Sequence, residues 1–381
     1  MTAPRVLIAD DQAHILEALQ LLLKNEGFLS ETVSSPRAVV EAVQDRNFDV
    51  LLLDLNYARD TTSGVEGLEL LARVRELDSA LPVVLMTAWG SLELAVQAMQ
   101  GGGRDFVQKP WDNDKLLGTL RCRIEEGRVL REKREKERTS ERLMREMADA
   151  QEIQRRLLPA ELPQLADCDV QAFWQPANEI GGDYFDAIRL GDSMAAFYIA
   201  DVAGKGLPAA LLMSNAQATV RALAQTTTSP SHMCRQLNRV VLENTRAGRF
   251  TTLFYAILDS NRRKLRYTNA GHVPPILIQR GGAIARLSEG GTVLGIFPDA
   301  GYEEREITFD HGDRLVLITD GITEAANAQS EEFGEGRLIR LLLENRQAPA
   351  PELQRLLLEA VASFTSQPLQ DDATLMIVTM R

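Results

Sequence analysis

Acidic side chains, a hydroxyl and a lysine close the apolar runs of the first 122 residues. Asp10 and Asp11 end VLIADD, Asp54 ends VLLLD, Thr87 ends VVLMT and Lys109 ends DFVQK. Such continuous Val and Leu runs predict parallel strands covered on both faces, and the carboxyl ends of such strands meet at one edge of the sheet. One strand-terminal Asp is often only a helix cap. Five residues in register at strand ends indicate a site.

These five residues suit the transfer of a phosphoryl group. Three carboxylates at one edge repel one another unless a cation is bound, and oxygen ligands favour Mg²⁺. Mg²⁺ and Lys109 would neutralise an incoming phosphoryl group, which leaves Asp54 as the nucleophile. The pattern therefore predicts a site at which a carboxylate accepts phosphate.

The segment 4–120 resembles the receiver domain of two-component response regulators. The resemblance rests on IADD (8–11), LLLDL (51–55), LMTA (85–88) and DFVQKPW (105–111). It implies that Asp54 is the phospho-acceptor. It also implies a Mg²⁺ site formed by Asp11, Asp54, the backbone carbonyl of Asn56 and, through water, Asp10.

Two further features of this segment concern signalling. The resemblance implies that Thr87 and Phe106 are the coupled hydroxyl and aromatic switch of the family, although Phe106 fits a plain core position equally well. After Asp54 the family usually has a short loop with Met-Pro before Gly. This chain has the longer, charged NYARDTTSGVEG (56–67) instead, which would alter the partner surface or the lifetime of the phosphoryl group.

Aspartates also mark four short motifs in the last part of the chain. These are GGDYFD (181–186), ADVAGKG (200–206), TDGITEA (319–325) and QDDAT (370–374). Each places an Asp beside Gly or at a strand end, where backbone can approach a ligand closely. Ligation by Asp without His favours Mg²⁺ or Mn²⁺ over zinc, and two such ions can clamp a phosphoryl group and activate water. A single Asp-Gly is more often a turn, but four such motifs in one block indicate a metal site.

The segment 150–381 resembles the PPM-type metal-dependent protein phosphatases of the SpoIIE/RsbU branch. The resemblance includes AQEIQRRLLP (150–159) and NAGHVPP (269–275), and it implies a β-sandwich flanked by helices with two Mn²⁺ or Mg²⁺ ions. It implies that Asp201 bridges both metals and that Asp183 belongs to the catalytic site. Lys205 would contact substrate phosphate or be a solvated loop lysine. The implied ligands are Asp201 with Asp320 and Asp371 for one metal and Asp183 with the Val202 carbonyl for the other, Asp372 being less certain.

The predicted secondary structure around these residues differs between the two ends of the chain. Strands that alternate with helices predict a doubly wound α/β sheet over residues 1–122. In the last block, 161–381, strands come in clusters before helices, which is typical of α+β layers. Strands are predicted at 197–201, 252–259, 265–271, 314–320 and 373–380, and helices at 207–224, 231–244, 335–345 and 351–364.

Residues 123–160 are predicted to form a helical linker. The sequence from 121 to 147 is rich in both charges and has no Pro, which is typical of a solvated helix with i,i+4 pairs. A heptad stripe, weakened upstream by Lys133 and Lys136, favours a parallel coiled coil in a homodimer over a monomeric spacer. The stripe consists of Leu143, Met147, Ala150, Gln154 and Leu157.

Composition narrows the class of protein. The chain has 381 residues, 45% of them hydrophobic and 25% charged, as in globular proteins. With 42 Lys and Arg against 54 Asp and Glu, its net charge of −12 disfavours nucleic-acid binding. No apolar run approaches the ~20 residues of a membrane helix, and the N-terminus has no signal-peptide pattern. Three scattered cysteines make no disulfide framework, so the cytoplasm is the expected location.

Together, these patterns predict a bacterial response regulator whose output is a serine/threonine protein phosphatase. A sensor histidine kinase would phosphorylate Asp54. The substrate would be a phosphoserine or phosphothreonine protein, such as a STAS-domain anti-sigma factor antagonist. The alternative is an adaptor that binds a partner without catalysis, and the intact aspartates of the last block argue against it. A DNA-binding regulator is disfavoured by the charge and by the lack of a helix-turn-helix pattern.

Overall fold

The computed structural model describes residues 3–55, 65–87, 92–163, 165, 167–245, 248–365 and 369–381. The chain forms two compact units, Met1–Leu143 and Met144–Arg381. The predicted domain limits at 122 and 160 stay a prediction. One uninterrupted helix, Asn113–Leu157, continues past the first of them. Within the described residues, no helix combines the length and the hydrophobicity that crossing a bilayer requires.

The first unit is a parallel sheet whose strands alternate with helices. The strands stand in the order β2-β1-β3-β4-β5, and every pairing is parallel, which confirms the predicted doubly wound α/β fold. In chain order its elements are β1 (Arg5–Ala9), α1 (Ala13–Asn25), β2 (Leu29–Val33), α2 (Pro36–Asp45), β3 (Val50–Asp54), α3 (Val65–Leu77), β4 (Val83–Thr87), α4 (Leu92–Gln100), β5 (Asp105–Gln108) and α5 (Asn113–Leu157).

Both faces of this sheet are buried, which explains the continuous apolar runs. In β3, Leu51 and Leu53 face one apolar cluster, while Val50 and Leu52 face the other. Successive strand residues point to opposite faces, so each run contributes to both clusters. Burying one such side chain stabilises the fold by roughly 1.5–3 kcal/mol, and the strand ends are thereby held in place.

Helix α5 begins as a core element of the first unit. Leu116, Leu120 and Ile124 are buried in the cluster that covers one face of the sheet. One turn later, Gly127 passes so close to Pro82 that an added Cβ would lie 2.6 Å from the proline ring. The helix therefore continues along the first unit beyond the predicted limit at residue 122.

Three arginines at intervals of three residues hold the next turns of α5. These residues, Arg128, Arg131 and Arg134, are named the arginine row, and their spacing places them on one side of the helix. Their partners are Asp49 for Arg128 (3.5 Å), the Phe48 carbonyl and Asp78 for Arg131 (2.8 and 3.0 Å) and Ser79 for Arg134 (2.7 Å). The arginine row makes this part of α5 an extension of the first unit.

The second unit contains two sheets and carries helices on both outer faces. The first sheet has the order β13-β10-β9-β8-β7 with β14 on β10, and the second has the order β12-β11-β15-β16-β6. All five predicted strands and all four predicted helices are present. The elements are β6 (Cys168–Gln175), β7 (Tyr184–Arg189), β8 (Met194–Val202), α6 (Leu207–Ala224), α7 (Pro230–Asn244), β9 (Thr251–Asp259), β10 (Lys264–Ala270), β11 (Ile276–Ile278), β12 (Ile284–Arg286), β13 (Gly290–Gly291), β14 (Arg305–Thr308), β15 (Arg314–Ile318), α8 (Asp320–Thr323), α9 (Gly334–Glu344), α10 (Ala350–Phe364) and β16 (Ala373–Met380).

Three apolar clusters hold the layers of the second unit together. Phe197 and Phe254 of the first sheet share the central cluster with Met376 of the second. Helices α6 and α7 cover the outer face of the first sheet, and α9 and α10 cover that of the second. This arrangement confirms the predicted β-sandwich with flanking helices.

Candidate functional site

Three carboxylates and a lysine meet at the carboxyl edge of the first unit's sheet. Single oxygens of Asp10, Asp11 and Asp54 all lie within 4.8 Å of one another. Lys109 Nζ is 2.6 Å from Asp10 Oδ2 and 3.1 Å from Asp54 Oδ1. The parallel strands thus bring these predicted residues together, because each follows or ends a strand of the same sheet.

The donor set at this edge fits a divalent cation. Three carboxylates face a single lysine, so negative charge is in excess. Asp11 Oδ1 is buried and has no hydrogen-bond partner among the described residues. A buried carboxylate oxygen without a partner is costly, and oxygen ligation by Mg²⁺ would satisfy it. Asn56 and residues 57–64 lie outside the described residues.

The two predicted switch residues differ in exposure. Thr87 ends β4 and is buried, whereas Phe106 on β5 is 41% exposed. Phe106 is therefore not a core residue, and that alternative for it is wrong. Its role as a switch stays a prediction.

In the second unit, partly buried carboxylates influence one another. Burial raises the pKa of Asp201 to about 7, with the charges of Asp320 and Asp371 as the next causes. The charge of Asp372 also raises the pKa of Asp201, and the charge of Lys205 lowers it. Burial followed by the charge of Asp371 also raises the pKa of Asp320. Carboxylates gathered in this way need positive charge, and oxygen-ligated divalent cations supply it.

These carboxylates are spread more widely than those of the first unit. Within the described residues, Asp10, Asp11 and Asp54 are the only three potential ligands whose atoms all lie within 4.8 Å of one another. Asp201 is the penultimate residue of β8, Asp320 follows β15 and Asp371 precedes β16, so both sheets contribute. The carboxylates of the second unit therefore surround a larger space.

Two threonines orient Asp183, which directly precedes β7. Asp183 Oδ2 accepts hydrogen bonds from Thr319 Oγ1 at 2.7 Å and from Thr374 Oγ1 at 2.6 Å. Burial, followed by the charge of Asp201, raises the pKa of Asp183 well above its usual range. The threonines bind one oxygen and so direct the carboxylate. Sequence reasoning missed both of them, although they stand inside the motifs TDGITEA and QDDAT.

Asp372 holds the backbone of the loop that carries Asp183. Its carboxylate accepts N–H groups from Ala177 at 2.8 Å, Gly182 at 2.6 Å and Asp183 at 3.3 Å. A Cβ on Gly181 would lie 2.5 Å from Asp372 Oδ2, so a side chain there would displace the Asp372 carboxylate. Asp372 is thus committed to the loop, which gives it a positioning role.

Gln154, near the end of α5, forms hydrogen bonds to the same loop. Gln154 is 3% exposed. Its Nε2 donates to the Gly181 carbonyl at 2.6 Å, and its Oε1 accepts the Gly181 N–H at 3.0 Å. A residue of the predicted heptad stripe is therefore buried within the second unit. Any dimer seam can include only stripe positions before it.

Lys205 pairs with a carboxylate of the site. Its Nζ is 3.0 Å from Asp371 Oδ2, and it also donates to the Gln370 carbonyl. The side chain is 50% exposed, so Lys205 lies at the rim of the site. Contact with substrate phosphate and a solvated loop lysine both stay predictions for Lys205.

The fold and the two sites define the class: a receiver joined to a PP2C-type phosphatase. Residues 191–381 match the family described as Stage II sporulation protein E (SpoIIE), and residues 6–121 match the response regulator receiver domain. The chain belongs to the SpoIIE family of metal-dependent protein phosphatases and carries a receiver domain before the phosphatase domain.

Individual relatives agree with this assignment. Phosphoserine phosphatase RsbU of Bacillus subtilis (strain 168) is 32% identical over 234 residues, which are 61% of this chain and 69% of RsbU. The C4-dicarboxylate transport transcriptional regulatory protein DctD of Pseudomonas aeruginosa is 36% identical over 131 residues, which are 34% of this chain but only 27% of DctD. The SiaA-PP2C domain of Pseudomonas aeruginosa shares the fold, with a TM-score of 0.57, 22% identity and coverage of 64% of this chain and 99% of that domain.

Proposed function

We propose that this chain is a response regulator in which phosphorylation of Asp54 controls a metal-dependent serine/threonine phosphatase. The observation that carries the proposal is the gathering of Asp183, Asp201, Asp320 and Asp371 from both sheets of the second unit. Asp183 is buried, the others are partly buried, and their charges raise one another's pKa. A docking scaffold has no need of such mutually repelling carboxylates, which favours the enzyme over an adaptor.

At the receiver, we assign Asp54 as the phospho-acceptor of a sensor histidine kinase. Its carboxylate is buried, and Lys109 Nζ lies 3.1 Å from it, where the ammonium would neutralise a phosphoryl oxygen. Asp10 and Asp11, with the carbonyl of Asn56, would complete a Mg²⁺ site beside it. Thr87 and Phe106 would act as the coupled switch that reports phosphorylation.

At the phosphatase, we assign Asp201 as the ligand shared by two Mn²⁺ or Mg²⁺ ions. When bound, such ions neutralise phosphoryl oxygens and lower the pKa of water, so that water can attack phosphorus. The chain's own residues orient the ligands. Thr319 and Thr374 would direct the free oxygen of Asp183 into the site. The remaining ligands would be Asp320 and Asp371 at one ion and Asp183 with the Val202 carbonyl at the other.

The contact between Gln154 and Gly181 supports control of the phosphatase through α5. Gly181 lies two residues before Asp183, so a shift of the helix end at Gln154 would displace a candidate metal ligand. A helix can transmit a signal only if a change at one end alters the contacts at the other end. Here one end of α5 contacts the loop that carries Asp183. We further propose that α5 pairs with the same helix of a second copy through Leu143 and Met147. In that homodimer, receiver phosphorylation would change the pairing.

The proposed substrate is a phosphoserine or phosphothreonine protein, with a STAS-domain anti-sigma factor antagonist as the first candidate. The likeness to the phosphoserine phosphatase RsbU supports the phosphoserine part. A cytoplasmic location accords with the three free cysteines, two of which are buried.

The test is dephosphorylation of a phosphorylated STAS protein by the full-length chain, with and without acetyl phosphate. We expect Mn²⁺-dependent release of phosphate, with a rate that changes when Asp54 is phosphorylated. The Asp54→Asn variant, measured in parallel, should hydrolyse the substrate but ignore acetyl phosphate. Absence of Mn²⁺-dependent hydrolysis on any phosphoprotein or chromogenic phosphate ester would contradict the proposal.

A further inference from the structure

His272 lies between β10 and β11, and both of its ring nitrogens are in contact with other strands. The residue is buried, with Nδ1 2.8 Å from Thr252 Oγ1 and Nε2 3.1 Å from the Ile318 carbonyl. Thr252 belongs to the first sheet of the second unit and Ile318 to the second sheet. The imidazole therefore spans the two sheets.

The sheet itself leaves a gap that the imidazole fills. Strand β11 pairs with β15 in antiparallel register, with Ile276 opposite Val316. Continuing this register places Pro274 opposite Ile318, and proline has no N–H to donate. The Nε2–H of His272 supplies the donor that the backbone lacks, so the Ile318 carbonyl stays paired inside the protein.

The partners also determine which nitrogen carries the proton. A carbonyl oxygen only accepts, so Nε2 must donate to Ile318, and Nδ1 then accepts from the Thr252 hydroxyl. Burial lowers the pKa of His272 to about 4, and the ring therefore stays neutral with this single tautomer. A neutral ring with one donor and one acceptor matches both contacts.

Each contact lies next to a candidate metal ligand. Thr252 is the cross-strand partner of Asp201, and Ile318 stands two residues before Asp320. The backbone of His272 is itself held, because Asn269 Oδ1 accepts its N–H at 2.7 Å and Asn269 Nδ2 donates to its carbonyl at 3.0 Å. The ring thus projects from a fixed base between β9, which pairs with the strand of Asp201, and β15, which precedes Asp320.

We propose that His272 is a positioning residue that sets the separation between Asp201 and Asp320 by spanning the two sheets. This inference rests on the proposed function, since it takes both aspartates as metal ligands. His272 contacts neither ligand directly and acts through Thr252 and Ile318. Side chains that orient metal ligands in this indirect way typically contribute about 10–100-fold to metal affinity.

The test is Mn²⁺ binding to the full-length chain, measured by calorimetry without any substrate. All proteins carry Asp11→Asn, so that the receiver contributes little to the titration. We expect His272→Leu to weaken Mn²⁺ binding about 10–100-fold, and Thr252→Val, which removes one of the two contacts, to weaken it less. Adding Thr252→Val to His272→Leu should cause no further loss, because both act through the same bridge.

Asp313→Ala is the matched control. Asp313 is buried just before β15, at the end opposite Asp320, and its carboxylate accepts the N–H groups of Arg280 at 2.9 Å and Asp310 at 3.0 Å. This variant also loses two hydrogen bonds of a buried side chain, so its melting temperature should fall while its Mn²⁺ affinity stays unchanged. A general loss of stability would instead weaken Mn²⁺ binding equally in both variants.

The outcomes separate this inference from the proposed function. Unchanged Mn²⁺ affinity in a folded His272→Leu chain contradicts the positioning role alone. If His272→Leu does not fold, the same judgement rests on Thr252→Val, whose β-branched side chain preserves the strand. Asp201→Asn should weaken Mn²⁺ binding. If the parent chain itself binds no Mn²⁺, the proposed function is contradicted, and this inference with it.

Discussion

Replacing Gln154 by leucine tests whether the end of α5 holds the catalytic loop. Leucine keeps most of the volume but removes both hydrogen bonds to Gly181, at 2.6 and 3.0 Å. The Gly181 N–H and carbonyl would then be buried without partners, at roughly 1–3 kcal/mol each. The loop can instead move toward water, which would withdraw Asp183 from the site.

The expected loss of activity follows from this free energy. Taking about 3 kcal/mol, which lies in the lower half of the summed range of about 2–6 kcal/mol, the loop would occupy its present position about 10²-fold less often. We therefore expect kcat/KM of Gln154→Leu on a chromogenic phosphate ester with Mn²⁺ to fall about 10²-fold. Labelling of Asp54 by acetyl phosphate should be unaffected, since the receiver is unchanged.

Gln354→Leu is the matched control for this experiment. Gln354 on α10 donates to the Ala172 carbonyl at 3.0 Å, so it also binds backbone through its amide, but on a strand away from the loop of Asp183. This variant should retain normal activity. If the kcat/KM of Gln154→Leu remains within about threefold of that of the unmodified chain, the position of the loop does not depend on α5 and the reasoning is wrong.

Three further predictions address catalysis, phosphorylation and coupling. Asp201→Asn should lower turnover at least ~10²-fold with little change in folding, and near-normal activity with Mn²⁺ would refute the metal assignment. Asp54→Asn should abolish labelling by acetyl phosphate while Asp320→Asn preserves it; equal loss in both would exclude two independent sites. Leu143→Lys combined with Met147→Lys should remove the response to a phosphoryl mimic but not the Mn²⁺-dependent activity. Light scattering shows whether dimers persist, and a dimeric double variant that still responds would exclude the coiled coil.

The receiver site could be predicted from sequence because its geometry is local to strand ends. Asp10, Asp54 and Lys109 each close an apolar run, and parallel strands bring such ends to one edge. Strand β2 gave no comparable signal, since its sequence LSETV is polar and partly exposed at the edge of the sheet. The missed strand carries none of the site residues, so the prediction of the site did not depend on it.

The supports of the phosphatase site could not be predicted, because they depend on pairings between distant parts of the chain. Strand β16 pairs with β6 some two hundred residues earlier, and only this pairing brings Thr374 and Asp372 to the loop of Asp183. The heptad stripe was ambiguous for a different reason. Spacing shows that Gln154 shares a face of α5 with Leu157, but not whether that face meets a second helix or the helix's own unit.

The arginine row gives the receiver's hold on α5 a dependence on ionic strength. Side chains of the pairs Arg128–Asp49 and Arg131–Asp78 are each between one fifth and about one third exposed, so dissolved ions reach them. At 0.1 M salt the screening length is about 10 Å, and partly exposed pairs weaken further as salt rises. The apolar contacts of Leu116, Leu120 and Ile124 do not weaken in this way. We therefore expect the arginine row to hold α5 less firmly at high salt, and the proposed coupling to be stronger in dilute buffer than at physiological ionic strength.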